Sequence, residues 1–537
     1  MNNNSLWYKV LINVKTLVLV LAALTISGTT ARAQDAWAEC YGGSDNEWGT
    51  MVAPVPGGGY VITGGTWSND GDFSGLAKGE HDIFVIRVNA AGQVLWRRLF
   101  GGSKYEFANC IIYTKDGGFV LSGNTLSTDG DFAGLNKGLH DIFVIKLNAN
   151  GQVEWKKTFG GSGDEDGVSA LSTADGGFII AGETWSADGD FKSSSSRTLP
   201  DIYMMKLDAS GELQWTSAYG GSGYDRAECI IHADGGYVLT GDTESNDGDF
   251  LDMNHGKRDV FVMKIDSTGK VLWKHCYGGS EIDRASAVTQ SNSTGLAIAG
   301  WTHSNDADFS GGNERTEPDA FVLKLDASGA LAWKRMIGGS KEDRAFSVIP
   351  AGDGGFVCTG GTWSHDGDFA GIHKGLRDIF LVKIDSSGNS VWARNYGGKL
   401  DEDQGYNIAA TSDGGFAITG TTDCNDGDFA GMNKGSGDAF LLKLNGEALP
   451  PGSDSLFVYP SIATNTATVY YRTNRTATVR VDVLNMLGKV VATLADGTVA
   501  AAEYSATLST SDLSPGAYVV RLVTPYANAI AKMIVVR

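Results

Sequence analysis

Apolar residues in this chain fall into short runs separated by turn residues, a pattern of strands and hairpins. Four such runs follow one another: Ala108 to Tyr113 (a), Gly118 to Gly123 (b), Asp141 to Leu147 (c) and Gln152 to Phe159 (d). Lys115-Asp-Gly-Gly118 and Ala149-Asn-Gly151 punctuate them as tight turns, where glycine and asparagine adopt backbone conformations that other residues resist. Runs such as Ile142-Phe-Val-Ile145 are apolar on both faces, so the sheet they build must be covered from both sides.

The unit recurs. A D/A-G/A-D-F signature places its second aspartate at Asp72, Asp131, Asp190, Asp249, Asp308, Asp368 and Asp428, spaced 59 or 60 residues apart. Four-stranded units at this period, sandwiched between copies of themselves, predict an all-β fold, a seven-bladed β-propeller. Trp96, Trp155, Trp215, Trp273, Trp333 and Trp392 mark strand d in six repeats, but the seventh stops after Asp438-Ala-Phe-Leu-Leu-Lys-Leu444. The missing strand stands at the other end, where Trp37-Ala-Glu-Cys-Tyr-Gly-Gly-Ser44 matches Trp96-Arg-Arg-Leu-Phe-Gly-Gly-Ser103 position for position. It is expected to complete the last blade beside strand c, leaving no sheet edge unpaired. The elements Gly-Gly-Ser-x-x-Asp/Glu, Asp-Gly-Gly-Phe-x-x-x-Gly, Asp-x-Phe-x-x-Lys-Leu and Gly-x-x-x-Trp resemble the bacterial propeller repeat called SBBP. That resemblance implies the fold and says little about activity.

The ends of the chain differ from the repeats. Lys9 and Lys15 precede the apolar run Leu17 to Leu24 and an Ala31-Arg-Ala33 end, which reads as a signal peptide over residues 1–33. No segment of the mature chain is apolar for long enough to span a membrane. The propeller is expected over 34–445 and a linker over 446–455. A small Ig-like β-sandwich of alternating strands (Thr468-Val-Tyr-Tyr-Arg, Thr478-Val-Arg-Val-Asp-Val) follows over 456–537. Its Val458-Tyr-Pro460, Val483-Leu-Asn-Met-Leu-Gly-Lys-Val490, Leu513-Ser-Pro-Gly-Ala-Tyr-Val-Val-Arg521 and Lys532-Met-Ile-Val-Val-Arg537 resemble the type A sorting domain of the type IX secretion system. The usual Tyr-Pro-Asn-Pro opening reads Tyr459-Pro-Ser-Ile462 here. The resemblance implies the type IX machinery as a partner, passage across the outer membrane, and release or attachment at the cell surface.

Charge narrows the partners. The chain carries a formal −20; its first 33 and last 82 residues each contribute +3, so the stretch between them holds −26. Such a domain repels phosphate backbones, which argues against nucleic acid and leaves cations, basic proteins or neutral glycans. The six cysteines fall in different blades and are expected as free thiols, mostly buried.

Two acidic sets are expected on the face that carries the long b–c loops and the d–a connections. One follows Gly-Gly-Ser: Glu47, Glu106, Glu165, Asp225, Asp283, Asp343 and Glu402, near the central channel. The other comprises the signature aspartates and the first residue of strand c, as in Asp70, Asp72 and Asp82 or Asp129, Asp131 and Asp141. Calcium held by these last six is one reading. The favoured reading is that they accept backbone N–H bonds and that the Phe after D-x-D pins the loop, since the spacing lacks an EF-hand pattern. No cofactor is otherwise indicated.

A residue present in every blade serves folding, and a binding site should break the repeat. The residue after the Thr that ends strand b does so, reading Trp67, Leu126, Trp185, Glu244, His303, Trp363 and Asp423. Its tryptophans suit a sugar ring or a partner surface, or they shield neighbouring loops. Arg226, Arg284 and Arg344 mark a partly neutralised sector of the channel mouth. No His forms a metal-ligand spacing and no G-x-S-x-G elbow is present. The expectation is therefore a secreted or surface binding or scaffold module with a glycan or protein ligand on the loop face. The alternative is a polysaccharide hydrolase or lyase using carboxylates at the channel mouth.

Overall fold

The computed structural model describes residues 37–192, 199–291, 295–310, 317–399, 402–411, 413–445 and most of 455–536. The proposed signal peptide and the linker residues 446–454 lie outside the described residues, as do 193–198 and 311–316 of two b–c loops.

Seven four-stranded antiparallel sheets make up the repeat region. In the first blade β2 (Glu47–Pro54) is innermost, followed outward by β3 (Tyr60–Thr66), β4 (Asp82–Val88) and β5 (Val94–Phe100). The inner strands of successive blades contact one another around a closed ring. Strand c is buried along its whole length in three blades, and in the others its apolar run is buried while its basic residue is part-exposed, because both of its faces meet a neighbouring sheet. Each b–c loop contains one turn of 3-10 helix (Gly71–Phe73 in the first blade), whose Phe is essentially inaccessible in all seven. At the fifth of these turns Ala307 takes φ +44, where the other blades place glycine at +55 to +59. That left-handed conformation costs alanine about 1 kcal/mol.

The ring closes as expected. The strand β1 (Trp37–Tyr41) pairs antiparallel with Asp438–Leu444, from Trp37 opposite Lys443 to Tyr41 opposite Ala439. Its Trp behaves as Trp96, Trp155, Trp215, Trp273 and Trp333 do, by lying against the c–d hairpin glycine of the next blade. A methyl group on Gly151 would lie 2.8 Å from Trp96, and one on Gly92 2.9 Å from Trp37. These glycines also have positive φ, so the hairpin requires glycine twice over.

Salt bridges repeat around the loop face. Lys137 of the second blade reaches Asp190 of the third at 2.6 Å, and Lys78 meets Asp131. Lys434 of the last blade crosses the closure to Asp72 at 2.5 Å. On the opposite face the basic residue of strand c pairs with the a–b hairpin aspartate in four blades, as in Lys443–Asp413 at 2.7 Å. The first blade has no such aspartate, and there Arg87 donates instead to the Gly58 and Tyr60 carbonyls. All six cysteines are free and four are buried.

The C-terminal strands form a three-stranded and a five-stranded sheet around a core that includes Val469, Val481, Val520 and Met533. In the five-stranded sheet Ile462–Ala463 pairs in parallel with Asn528–Val535. No helix among the described residues is long and apolar enough to cross a membrane.

Candidate functional site

The acids after Gly-Gly are the first residues of strand a, and they are buried. Glu47 Oε2 accepts the Gly43 N–H at 2.8 Å while its Oε1 accepts from Thr66 Oγ1 at 2.7 Å. Glu106, Glu165, Asp225, Asp283 and Asp343 repeat this geometry. Their oxygens are taken up by the loop's own donors, so they set the loop from within. In the seventh blade the residue in this role is Asp403, which accepts from Gly398 N–H at 3.0 Å. Glu402 is not part of the set: the turn Gly397-Gly-Lys-Leu-Asp-Glu-Asp403 is one residue longer, and Glu402 is exposed, 3.4 Å from Arg377.

The signature aspartates are likewise distributed among donors rather than gathered. Asp70 Oδ1 accepts from Ser44 N–H (2.8 Å), Asp72 Oδ2 from Gly42 N–H (3.1 Å) and Asp82 Oδ2 from Lys78 N–H (2.5 Å). Asp129, Asp131 and Asp141 make the corresponding bonds one blade on. Among the described residues no three acids, histidines or cysteines are grouped to hold a metal ion. Treatment with a chelator is therefore expected to move the melting temperature by no more than about 1 °C; calcium at each blade would give a far larger shift.

What breaks the repeat gathers at one end of the inner strands. The second residue of strand a and its cross-strand partner read Trp48 with Gly65, Phe107 with Asn124, and Asp166 with Glu183 in the first three blades. They continue as Arg226 with Asp242, Arg284 with Trp301, Arg344 with Gly361, and Gln404 with Thr421. The residue after strand b (Trp67, Leu126, Trp185, Glu244, His303, Trp363, Asp423) lies at the same end. Aligning the repeats one position past the strand-a acid would have revealed this ring, but only the arginines stood out.

The mouth has three sectors. In blades 1 and 2 Trp48 stacks on His81 (4.7 Å, 10° between planes), with Trp67 edge-on at 5.1 Å and Phe107 4.8 Å from the imidazole. Gly65 makes this possible, since a methyl group there would lie 2.2 Å from His81 Nε2. His81 is wholly buried, neither ring nitrogen has a partner among the described residues, and burial pushes its pKa down to about 4.

In blades 3 to 5 acids and arginines interlock. Glu228 bridges Arg226 (3.2 Å) and Arg284 (3.0 Å), and Asp242 bridges Arg284 and Arg258, each at 3.1 Å. Tyr224 O–H donates to Glu183 at 2.7 Å. Burial pushes the Glu183 carboxyl up to about 7 against the pull of Arg226 and that hydrogen bond. Asn109 and Asn124 both donate to Asp166 Oδ1, at 2.7 and 3.0 Å.

In blades 5 and 6 Arg344 covers Trp301 at 4.6 Å and Arg377 covers Trp363 at 4.3 Å, while His303 stands edge-on to Trp301 at 5.6 Å. Trp67 and Trp185 are 41% and 44% exposed, open enough to meet a ligand, whereas Trp363 and His303 are half-buried.

A stretch of the regulatory protein FlaEY of Caulobacter vibrioides is 24% identical over 168 residues, 29% of this chain and 18% of that protein. The chain thus spans under a fifth of the length of that relative. A solved protein of unknown function from Bacteroides caccae is similar at 12% identity, covering 67% of this chain and 94% of its own with a TM-score of 0.33. A gluconolactonase from Xanthomonas campestris is similar at 11%, covering 77% and 99%, with a TM-score of 0.32. Residues 457–536 match the family described as the secretion system C-terminal sorting domain. The protein is accordingly a seven-bladed β-propeller with a type IX sorting tail, exported to the medium or the outer cell surface.

Proposed function

We propose that the propeller is a binding module delivered to the cell exterior, with its ligand, a glycan or a protein, seated on the loop face at the channel mouth. One observation supports this above others. The acids shared by the blades are taken up by loop hydrogen bonds, while a set of residues that differ between blades meets around one opening. A rigid scaffold whose side chains vary around one rim suits recognition. Trp67, Trp185, Trp363 and His303 are the contact residues of this reading. The mature protein, displayed against a glycan array and an extracellular protein library, is expected to retain a ligand. Simultaneous replacement of these four by alanine is expected to weaken binding at least about 100-fold, as loss of two or more contact hot spots does. Retained affinity in a folded quadruple variant would refute the placement.

A second reading, a polysaccharide hydrolase or lyase, is supported by Glu183. Held near a pKa of about 7 beside Asp166, it has the protonation range of a general acid. Reducing-end release from a polysaccharide panel, abolished in Glu183→Gln, would favour this reading over binding alone.

A further inference from the structure

We infer that the aromatic cluster of blades 1 and 2 is a stacking site for a pyranose ring of a neutral oligosaccharide. The inference rests on the loop-face reading above and commits it to one sector and one class of ligand. Trp67 and Tyr105, 41% and 39% exposed, rim half-buried Trp48 and Phe107 at the ends of adjacent inner strands. Beneath them lies His81, stacked on Trp48 and kept uncharged by its burial. The platform is therefore apolar in depth as well as at its surface, as the C–H face of a sugar ring requires.

The flank supplies what the hydroxyls need. Asn124 stands opposite Phe107 in the sheet, and with Asn109 it holds Asp166, so two amides and a carboxylate converge one blade from the rings. Asn124 Oδ1 and both His81 nitrogens have no hydrogen-bond partner among the described residues. None of these features follows from the repeat. Trp48, Trp67, His81 and Phe107 are each replaced by a different kind of side chain in most other blades, so blade architecture does not require them.

Charge selects the class. The stretch of chain containing the propeller carries −26, which disfavours an acidic polymer at long range and is indifferent to a neutral one. The arginines that could offset this lie in blades 4 to 6 and are engaged with Glu228, Asp242, Glu342 and Glu402.

The test is titration of the mature protein, followed by tryptophan fluorescence and calorimetry, with cello-, laminari-, xylo- and mannohexaose and with oligogalacturonate as the charged contrast. At least one neutral hexaose is expected to bind, with an affinity unchanged between 20 mM and 500 mM salt. Trp67→Ala and Tyr105→Ala are expected to weaken it at least tenfold, and Leu251→Ala, an exposed loop residue of blade 4 outside the mouth, less than twofold; Trp363→Ala tests the opposite sector. Thermal unfolding of each variant separates lost binding from lost fold, and Tyr105→Phe, which keeps the ring, should restore affinity. Failure of every neutral hexaose to bind overturns the inference, as does binding untouched by both blade 1 and blade 2 variants. Loss confined to Trp363→Ala, or binding of oligogalacturonate alone, overturns it too while leaving the loop-face reading intact.

Discussion

A chain lacking Trp37–Tyr41 is expected to have a propeller transition at least about 10 °C below that of the intact protein. The segment contributes five residues of antiparallel ladder to the last blade, and its Cys40 and Tyr41 are nearly inaccessible. Trp37 adds the contact with Gly92 of the first blade, and Lys434 reaches both the Cys40 carbonyl and Asp72 at this junction. Losing two buried apolar side chains, a half-buried tryptophan and the ladder bonds costs roughly 5 kcal/mol or more, before counting the exposed edge of Asp438–Leu444. Differential scanning calorimetry of the shortened protein checks this. An unaltered transition would mean that the ring is held elsewhere.

Stability is also expected to fall as pH rises from 5 to 8, opposite to the usual behaviour of a protein rich in paired carboxylates. Between neighbouring blades the first Asp of strand c faces the first acid of the next strand a across a glycine. A methyl group on Gly42 would lie 2.2 Å from Asp438 Oδ1 and 2.5 Å from Glu47 Oε2, and one on Gly160 2.1 Å from Asp141 and 2.8 Å from Glu165. The Oδ1 atoms of Asp82, Asp141, Asp259, Asp378 and Asp438 accept no hydrogen bond among the described residues. Burial pushes Asp283 and Asp403 up to about 6 and Asp343 and Asp438 up to about 7, with the facing acid adding to each shift. The pair therefore favours one shared proton. A carboxyl whose folded pKa lies above its unfolded value near 3.8 contributes stability below that value and loses it as pH climbs through 6 to 7. Four such groups correspond to roughly several kcal/mol, or on the order of 5 °C in melting temperature between pH 5 and pH 8. Replacing Asp438 by Asn, which cannot ionise, should flatten the profile. A melting temperature that rises with pH over this window would contradict the pairing.

The architecture was legible because each blade restates it. The apolar strand c, the hairpin glycines and the strand-d tryptophan recur seven times or nearly so, and the displaced Trp37 segment is unmistakable beside its six counterparts. Boundaries fared less well. Strand a begins at Glu106, two residues before the apolar run starts at Ala108, because a buried acid at a strand end has no signature in hydrophobicity. The triple acid Asp401-Glu402-Asp403 concealed a one-residue insertion, and composition cannot say which of three carboxylates turns inward. The channel mouth was seen only in part. Trp67, Trp185, Trp363 and His303 announced themselves by breaking the repeat after strand b. Trp48, His81 and Glu183 did not, since their association depends on which residues the ladder register sets side by side. Hydrogen bonding likewise took the loop-face carboxylates inward, where a sequence shows only that acids are present.

The closure by β1 bears on the order of events during synthesis and export. The first strand of the propeller to be made pairs with a strand some 400 residues later, while every other sheet contact within a blade is local. Blades can form in turn as the polypeptide lengthens, but the circle stays open, with one sticky rim at each extremity, until the seventh repeat is present. A prematurely terminated polypeptide would never mask those rims. Completion of the ring thus serves as a check on length, separating finished molecules from fragments that remain accessible to proteases.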